Sequence, residues 1–446
     1  MITLIDAAHA LAAGRVTPRD LTEACLAKAQ DPAGESQRVF TDLQADAARA
    51  TADAQHHLRK AGQAGSPFAG IPITIKDLFD VAGQVTRAGS RVLATSAPAV
   101  TTAPAIARLL GAGFVIIGRT NMTEFAFSGL GLNPHYPTPT TPYDRANRHI
   151  PGGSSSGAAV SVADGMALGA IGTDTGGSCR IPAACCGITG FKPTAARIPL
   201  SGAIPLSPTL DSIGPLAQTV ADCEALANIM AAAPLTPAQP RTLGGVRLLL
   251  AQNIVLDGID IPTETSFDRA IRRLAAHGVS FAATECKSFA SVMHANRKGG
   301  FAAAEAYAWH RDYLEKSSDL YDPRVAARIK GGAQMLAADY AQTQWDRARI
   351  IAEFAQEMEG FDAVIMPTIP VQPPKIADLQ DDEAYRRINF LLLRNPSLIN
   401  FLDGCAISLP CHEAAAPPAG LMLAAPRMQD HKLLAIAKSI ESALRE

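Results

Sequence analysis

Three residues of this 446-residue chain could together make and break an acyl bond: Lys76, Ser154 and Ser178. A serine hydroxyl is a weak nucleophile until a base takes its proton. A lysine can be that base only when neutral, and burial pushes its pKa down towards the working pH. Lys76 closes the apolar alternation of "GIPITIKD" (70–77), Ser154 lies in "GGSSSG" (152–157), and Ser178 follows "GTDTGG" (172–177). A second serine between nucleophile and amine could relay the proton, in the order Ser178–Ser154–Lys76. Gly176 and Gly177 would let the backbone turn the N–H groups of residues 175–178 towards a developing oxyanion. The same spacing fits a structural role equally well. Lys76 would then pair with Asp77 or Asp174, and the Ser/Gly runs would be close-packed turns.

Two other readings compete for these runs. "GSSSG" (153–157) satisfies the G-x-S-x-G pattern of a nucleophile elbow, with Ser155 as nucleophile and Asp403 and His412 as partners in chain order. An elbow needs a strand directly before it, whereas "DRANRHIPG" (144–152) reads as a polar, Pro-bearing loop. A Gly/Ser run that opens a helix can also cradle a phosphate on its N–H groups. Neither run has the G-x-x-x-x-G-K-[ST] spacing, and "GLGLNP" (129–134) lacks the third glycine of a dinucleotide fingerprint.

The elements that must position these residues follow an α/β rhythm. "VTPRDLTEACLAKA" (16–29) predicts a helix with Thr17 as N-cap and Pro18 in its first turn. Ile71, Ile73 and Ile75 alternate as a strand, which points Thr74 and Lys76 to the opposite face. "APAIARLLGAG" (103–113) predicts a helix closed by Gly111 or Gly113, and "FVIIG" (114–118) a short buried strand. Residues 133–151 read as a loop, "GGSSSGAAVSVADG" (152–165) as the start of a close-packed helix, "MALGAIG" (166–172) as a small-residue strand and "SCRIPAACCG" (178–187) as a short helix. Pro and Ala dominate 231–242, a linker or surface crossover. Beyond it "GVRLLLAQN", "SFDRAIRRLAAHG" and "VSFAAT" repeat strand–helix–strand, "GFDAVIMPTIP" and "CAISLPC" add strands, and an amphipathic helix ends the chain. Because the alternation crosses 231–242, one domain over 1–446 is expected, with a catalytic core at 66–225 and a variable region at 231–360.

Composition narrows the partners. Nearly half the residues are apolar, enough for a large core, and the net charge is −2 with Lys and Arg scattered, which argues against nucleic acid or an anionic membrane. No apolar run is long enough to span a bilayer, and the N-terminal stretch lacks the basic start of a secretory leader. Eight cysteines show no C-x-x-C pair, so reduced thiols in a cytoplasmic protein are expected. The ten histidines contain no H-x-x-x-H or H-E-x-x-H spacing, so neither a metal nor a cofactor is expected. Monomer and homodimer both stay open.

Residues 151–194, "PGGSSSGAAVSVADGMALGAIGTDTGGSCRIPAACCGITGFKPT", closely resemble the signature of the amidase signature family of serine hydrolases. "GIPITIKD", "GRTNMTEFAFSG" (118–129) and "SPTLDSIGPLAQTVAD" (207–222) extend the resemblance, and "AISLP" and "PAGLML" resemble the family's closing strands. The resemblance implies a large mixed central β-sheet flanked by helices on both faces. It implies Ser178 as nucleophile, Ser154 as the relay serine following a cis peptide bond, and Lys76 as base. It places the oxyanion hole on the N–H groups of Thr175, Gly176, Gly177 and Ser178, and gives Asp174 and Arg180 the task of holding that loop. Cys179, where the family usually has an aliphatic residue, and Ser156, where many members have glycine, depart from the pattern.

The implied activity is hydrolysis of the C–N bond of a small amide through a seryl acyl-enzyme, extending to carbamates. A glutaminase component of a tRNA-dependent amidotransferase, a urea- or allophanate-type hydrolase and a non-enzymatic binder on the same fold are the alternatives. By analogy Met122, Phe125, Tyr136 and Ile204 border the substrate pocket, with the 133–142 loop and the 195–213 segment. These are mostly apolar, so a neutral aryl or alkyl substrate is expected.

Overall fold

The computed structural model describes residues 2–446. Eleven strands form one mixed sheet: β1 (Phe40–Leu43), β2 (Pro72–Lys76), β3 (Val115–Thr120), β4 (Gly169–Thr173), β5 (Thr189–Lys192), β6 (Ile213–Ala217), β7 (Arg247–Ala251), β8 (Ser280–Thr284), β9 (Ala363–Pro367), β10 (Cys405–Pro410) and β11 (Gly420–Ala425). Their order is β1-β3-β2-β4-β6-β5-β10-β11-β9-β7-β8. Strands β3, β2 and β4 run parallel at one end, β9, β7 and β8 at the other, and antiparallel pairs join the two blocks. The chain beyond 231–242 thus continues the same sheet.

Strands β2, β4, β6 and β9 are buried at every position, which requires helices on both faces. On one face Ile73, Ile75 and Ile171 pack with Ile106, Leu226 and Ile436. On the other, Ala170 and Leu216 meet Ala158, Val162 and Ala183, from the helices Ser156–Ala163 and Arg180–Cys186. The small residues of these helices and of β4 let them approach closely. Thr74, on the face opposite Ile73 and Ile75, shares a 2.9 Å hydrogen bond with Ser161 of the first of those helices. Lys76, two residues on, shares the face of Thr74, as the alternation predicts.

Local signals place the remaining elements. Thr17 caps the helix Pro18–Ala29 through a reciprocal pair: Asp20 N donates to Thr17 Oγ1, and Thr17 N to the Asp20 carboxylate. Gly113, left-handed at φ 89°, follows the helix Pro104–Gly111. Residues 240–360 add β7 and β8 and then helices at Lys287–Ala295, Gly300–Ser317, Pro323–Gly331 and Ala337–Glu357. A long helix, Asp382–Phe401, packs Leu398, Ile399 and Phe401 with Val364, Met366, Ala406 and Met422 of the sheet; Asp381 caps it by accepting from Glu383 N and Ala384 N. Among the described residues no helix is long and apolar enough to cross a membrane, and all eight cysteines are buried free thiols.

Candidate active site

Parallel pairing of β2 with β4 sets Ile75 opposite Ile171, so the two strands end side by side. That juxtaposition brings Lys76 Nζ to 2.9 Å from Thr173 Oγ1, and the amine also donates to Ser154 Oγ at 2.7 Å. Lys76 is fully buried, and burial pushes its pKa down to about 8. The salt-bridge role left open by the spacing is not taken. Asp77 pairs with Arg119 at 2.8 Å and Asp174 with Arg180 at 2.8 Å, so Lys76 has no carboxylate partner among the described residues.

Ser154 enters through a cis Gly153–Ser154 peptide bond, as the resemblance implies. The chain before it is tightly held: Gly153 N donates to Gly129 O, and a Cβ on Gly153 would run into the Gly131 backbone. Ser155 does not act as an elbow nucleophile. It is fully buried with its hydroxyl donating to Thr173 O, no strand precedes it, and Asp403 pairs with Arg427 instead of supporting His412.

Asp174 organises the loop between β4 and the helix Arg180–Cys186. Its carboxylate accepts from Gly177 N at 2.9 Å, Cys179 N at 3.1 Å, Arg180 Nη2 at 2.8 Å and Asn400 Nδ2 at 2.9 Å. Burial would raise its pKa, but Arg180 and Lys192 overcome this and hold the carboxylate well below the usual range. Arg180 donates in turn to Asn400 Oδ1 and Pro396 O. Both members of the pair are fully buried. Asp174→Asn should therefore lower stability by about 3–5 kcal/mol, because it strands a buried guanidinium. An unchanged urea midpoint would contradict this.

The amide groups of the loop are not equivalent. Gly177 N–H and Cys179 N–H are spent on Asp174. Those of Thr175, Gly176 and Ser178 have no acceptor among the described residues. Of the four N–H groups expected to meet an oxyanion, that of Gly177 is thus committed elsewhere and three stay available. Gly177 has a different duty: at φ 124°, with a Cβ position 2.5 Å from Pro396 Cβ, it lets the loop pass beneath the helix Asp382–Phe401. Thr175 Oγ1 donates to Asp211, whose other oxygen accepts from Leu206 N and Ser207 N, and burial pushes Asp211 up to about 6.

Ser178 opens onto a cavity of about 580 Å³ and makes no hydrogen bond with Ser154. The cavity's walls come from residues 126–128, 206–210, 292–302 and 385–401, together with Arg328. Met122, Phe125, Tyr136 and Ile204 do not line it. Phe125 and Ala126 both adopt left-handed backbone, at φ 48° and 60°. The kink turns the Phe125 ring away, against His310 at 4.3 Å and Tyr321 at 5.4 Å, and leaves Ala126, Phe127 and Ser128 facing the cavity. Met122 is buried beneath Gly89 and Tyr136 N is tied to Asn133. Ile204 lines a smaller neighbouring cavity of about 260 Å³ beside Thr173, Thr175 and Asp211. The 195–213 segment does contribute, through Leu206 and Leu210. The lining is mostly apolar, as expected from the sequence, but Arg297, Arg328, Arg386 and Arg394 also stand on the wall and no Asp or Glu does, which the expectation of little charge did not foresee.

Sequence reasoning missed the helix Asp382–Phe401, which supplies Asn400 to Asp174 and one wall of the cavity. Its signals were present: Asp381 as N-cap, Asp382 and Glu383 in the first turn and an apolar helical period behind them.

The chain's likenesses agree with this geometry. Residues 20–434 match the family model described as Amidase. The chain is 34% identical to a 2-amino-5-chloromuconic acid deaminase of Comamonas testosteroni, over 99% of this chain and 97% of that protein. It is 35% identical to a glutamyl-tRNA(Gln) amidotransferase subunit of Chloroflexus aggregans, over 98% and 95%. A crystal structure of an amidase superposes with a TM-score of 0.90 over 99% of both chains, at 29% identity. With the signature loop, the mixed sheet and a family match over most of its length, the chain belongs to the amidase signature family, enzymes that hydrolyse carbon–nitrogen bonds other than peptide bonds.

Proposed function

We propose that the protein hydrolyses the C–N bond of a small amide through an acyl-enzyme on Ser178, with Ser154 as relay and Lys76 as base. The observation that carries this reading is a buried lysine with no carboxylate partner, its Nζ 2.7 Å from Ser154 Oγ. Lys76, at a pKa of about 8, is substantially neutral in mildly alkaline solution. In that form its lone pair accepts the Ser154 proton while Ser154 Oγ takes the proton of Ser178. The Ser154–Ser178 link forms as substrate seats, since catalytic hydrogen bonds often tighten only in the complex. Ser178 Oγ bonds to the carbonyl carbon, and the oxyanion is met by the N–H groups of Thr175, Gly176 and Ser178, each worth about 10²–10³ in rate at comparable sites. Collapse breaks the C–N bond, the relay returns the proton to the leaving nitrogen, and water then hydrolyses the ester.

Mixing the chain with excess of a simple anilide should release a burst of aniline equal to the enzyme, with the acyl mass on the peptide carrying Ser178. A linear time course with the mass on no serine would sink the acyl-enzyme. The matching phenylcarbamate ester should also react, because a carbamate carbonyl presents the same carbon and oxygen to the loop.

Similarity to the amidotransferase component favours a second reading, a glutaminase that works in a complex. Turnover of the anilide by the isolated chain counts against it, and activity on glutamine only after a partner is added would replace the first reading.

A further inference from the structure

The four arginines on the wall of the Ser178 cavity, Arg297, Arg328, Arg386 and Arg394, face no Asp or Glu there. None of them forms an ion pair with a carboxylate among the described residues. Arg394 is buried and committed, its guanidinium donating to Val255 O, Asp257 O and Asn395 Oδ1. Arg297 and Arg386 are exposed at the mouth. Arg328 is different. It is half-buried, donates to Phe127 O and stacks on the Phe127 ring at 4.4 Å from the centroid. Its remaining N–H groups have no acceptor among the described residues. On its other side Arg328 borders an adjoining cavity that holds Asp322 and Asp382, but Asp382 pairs with Arg324 at 2.8 Å and Asp322 accepts from Arg324 N.

A partly buried cation whose N–H groups lack a protein acceptor gains by pairing with an arriving anion. Most of the remaining wall is apolar, with Leu206, Leu210, Phe301, Phe390 and Leu393 prominent, beside uncharged polar side chains such as Ser128, Asn296 and Asn389. The planar guanidinium fork suits a carboxylate, held on two parallel hydrogen bonds. We infer that the substrate is an amide that also carries a carboxylate, separated from the scissile carbonyl by an apolar spacer and anchored by Arg328. The amide half of this statement rests on the acyl-transfer reading above; the anion site is a property of the cavity alone.

The test uses two matched pairs of substrates and one binding measurement. On the acyl side, glutaric acid monoanilide is compared with 5-methylhexananilide. On the amine side, 4-acetamidobenzoate is compared with 4-isopropylacetanilide. Wild type should favour the carboxylate member of at least one pair by about 10- to 100-fold in kcat/KM, mostly through KM, the range for a hydrogen bond to a charged group. Arg328→Gln should bring that ratio towards one, and Arg328→Lys, a point charge without the fork, should keep part of it. A wild-type ratio of one or below in both pairs, or a preference that survives Arg328→Gln, overturns the inference. Since Arg328→Gln also loses the Phe127 contact, its melting curve is recorded, and if it is unfolded the ratio in Arg328→Lys decides. Glutarate and 4-acetamidobenzoate are titrated calorimetrically into the Ser178→Ala chain. Binding that Arg328→Gln abolishes, with no turnover by wild type, supports the anion site and sinks the acyl-transfer reading. Brisk turnover of the neutral anilides with no binding of either carboxylate does the reverse.

Discussion

Ser178→Ala is expected to lower kcat for anilide cleavage by about 10⁵- to 10⁶-fold, leaving the small residual rate that oxyanion binding alone supplies. The hydroxyl makes no hydrogen bond that holds the fold together and faces the cavity, so its removal should leave the melting temperature within about 1–2 °C of wild type. This separates lost chemistry from lost structure. Aniline release near the wild-type rate would mean that another group is acylated. The hydroxyls of the relay serine and of the loop are already engaged. Ser154 Oγ is engaged by Lys76, Thr173 Oγ1 by the same amine, and Thr175 Oγ1 donates to Asp211.

Lys76→Met, which keeps most of the side chain's volume in its buried site, should cost about 10³- to 10⁴-fold and change the shape of the pH profile. The sign follows from which form is active. Only the neutral amine can take a proton, so wild-type kcat/KM should rise about tenfold per pH unit below pH 8 and level off above it, following a pKa of about 8. In Lys76→Met that limb should vanish, and only a climb with hydroxide concentration should remain, partly rescuing activity at high pH. A mutant that keeps an inflection near pH 8 would show that the limb belongs to another group. Asp211, pushed up to about 6 by burial and bound to Thr175 in the same loop, would instead give a separate inflection well below the lysine's.

Motifs whose function lies in their own backbone were legible in the sequence. "GTDTGGS" is small enough for its backbone to approach its neighbours closely, as the proposed oxyanion role requires, and the alternation of "GIPITIK" settled the face on which Lys76 emerges. The strand–helix rhythm, the Thr17 cap and the end of the helix at Gly111 were equally local, because propensity, capping and a period of two or 3.6 residues act over a few positions. Spacing could not say whether Lys76 was a base or half of a salt bridge. That depended on Arg119 and Arg180 reaching Asp77 and Asp174 first, and on Asn400 arriving from a helix more than two hundred residues away in the chain. Nor could it say that Asp174 would consume the Gly177 N–H.

The cavity was the least legible part. Neighbours of the signature, Met122, Phe125 and Tyr136, were expected to line it, but Met122 is buried beneath Gly89, Tyr136 N is tied to Asn133, and at the left-handed kink the Phe125 ring packs on His310 and Tyr321 instead. Arg328 and the helix Asp382–Phe401 take their place, so a wall expected to be neutral carries four guanidiniums. The sequence by itself determined where the proposed nucleophile, relay and oxyanion donors lie, since Ser178, Ser154 and the 175–178 loop sit in short segments with their own geometry. The tertiary structure alone decided the charge those groups face, because a cavity wall is assembled from residues that meet only when distant helices pack, and no local period records which side chains then lack a partner.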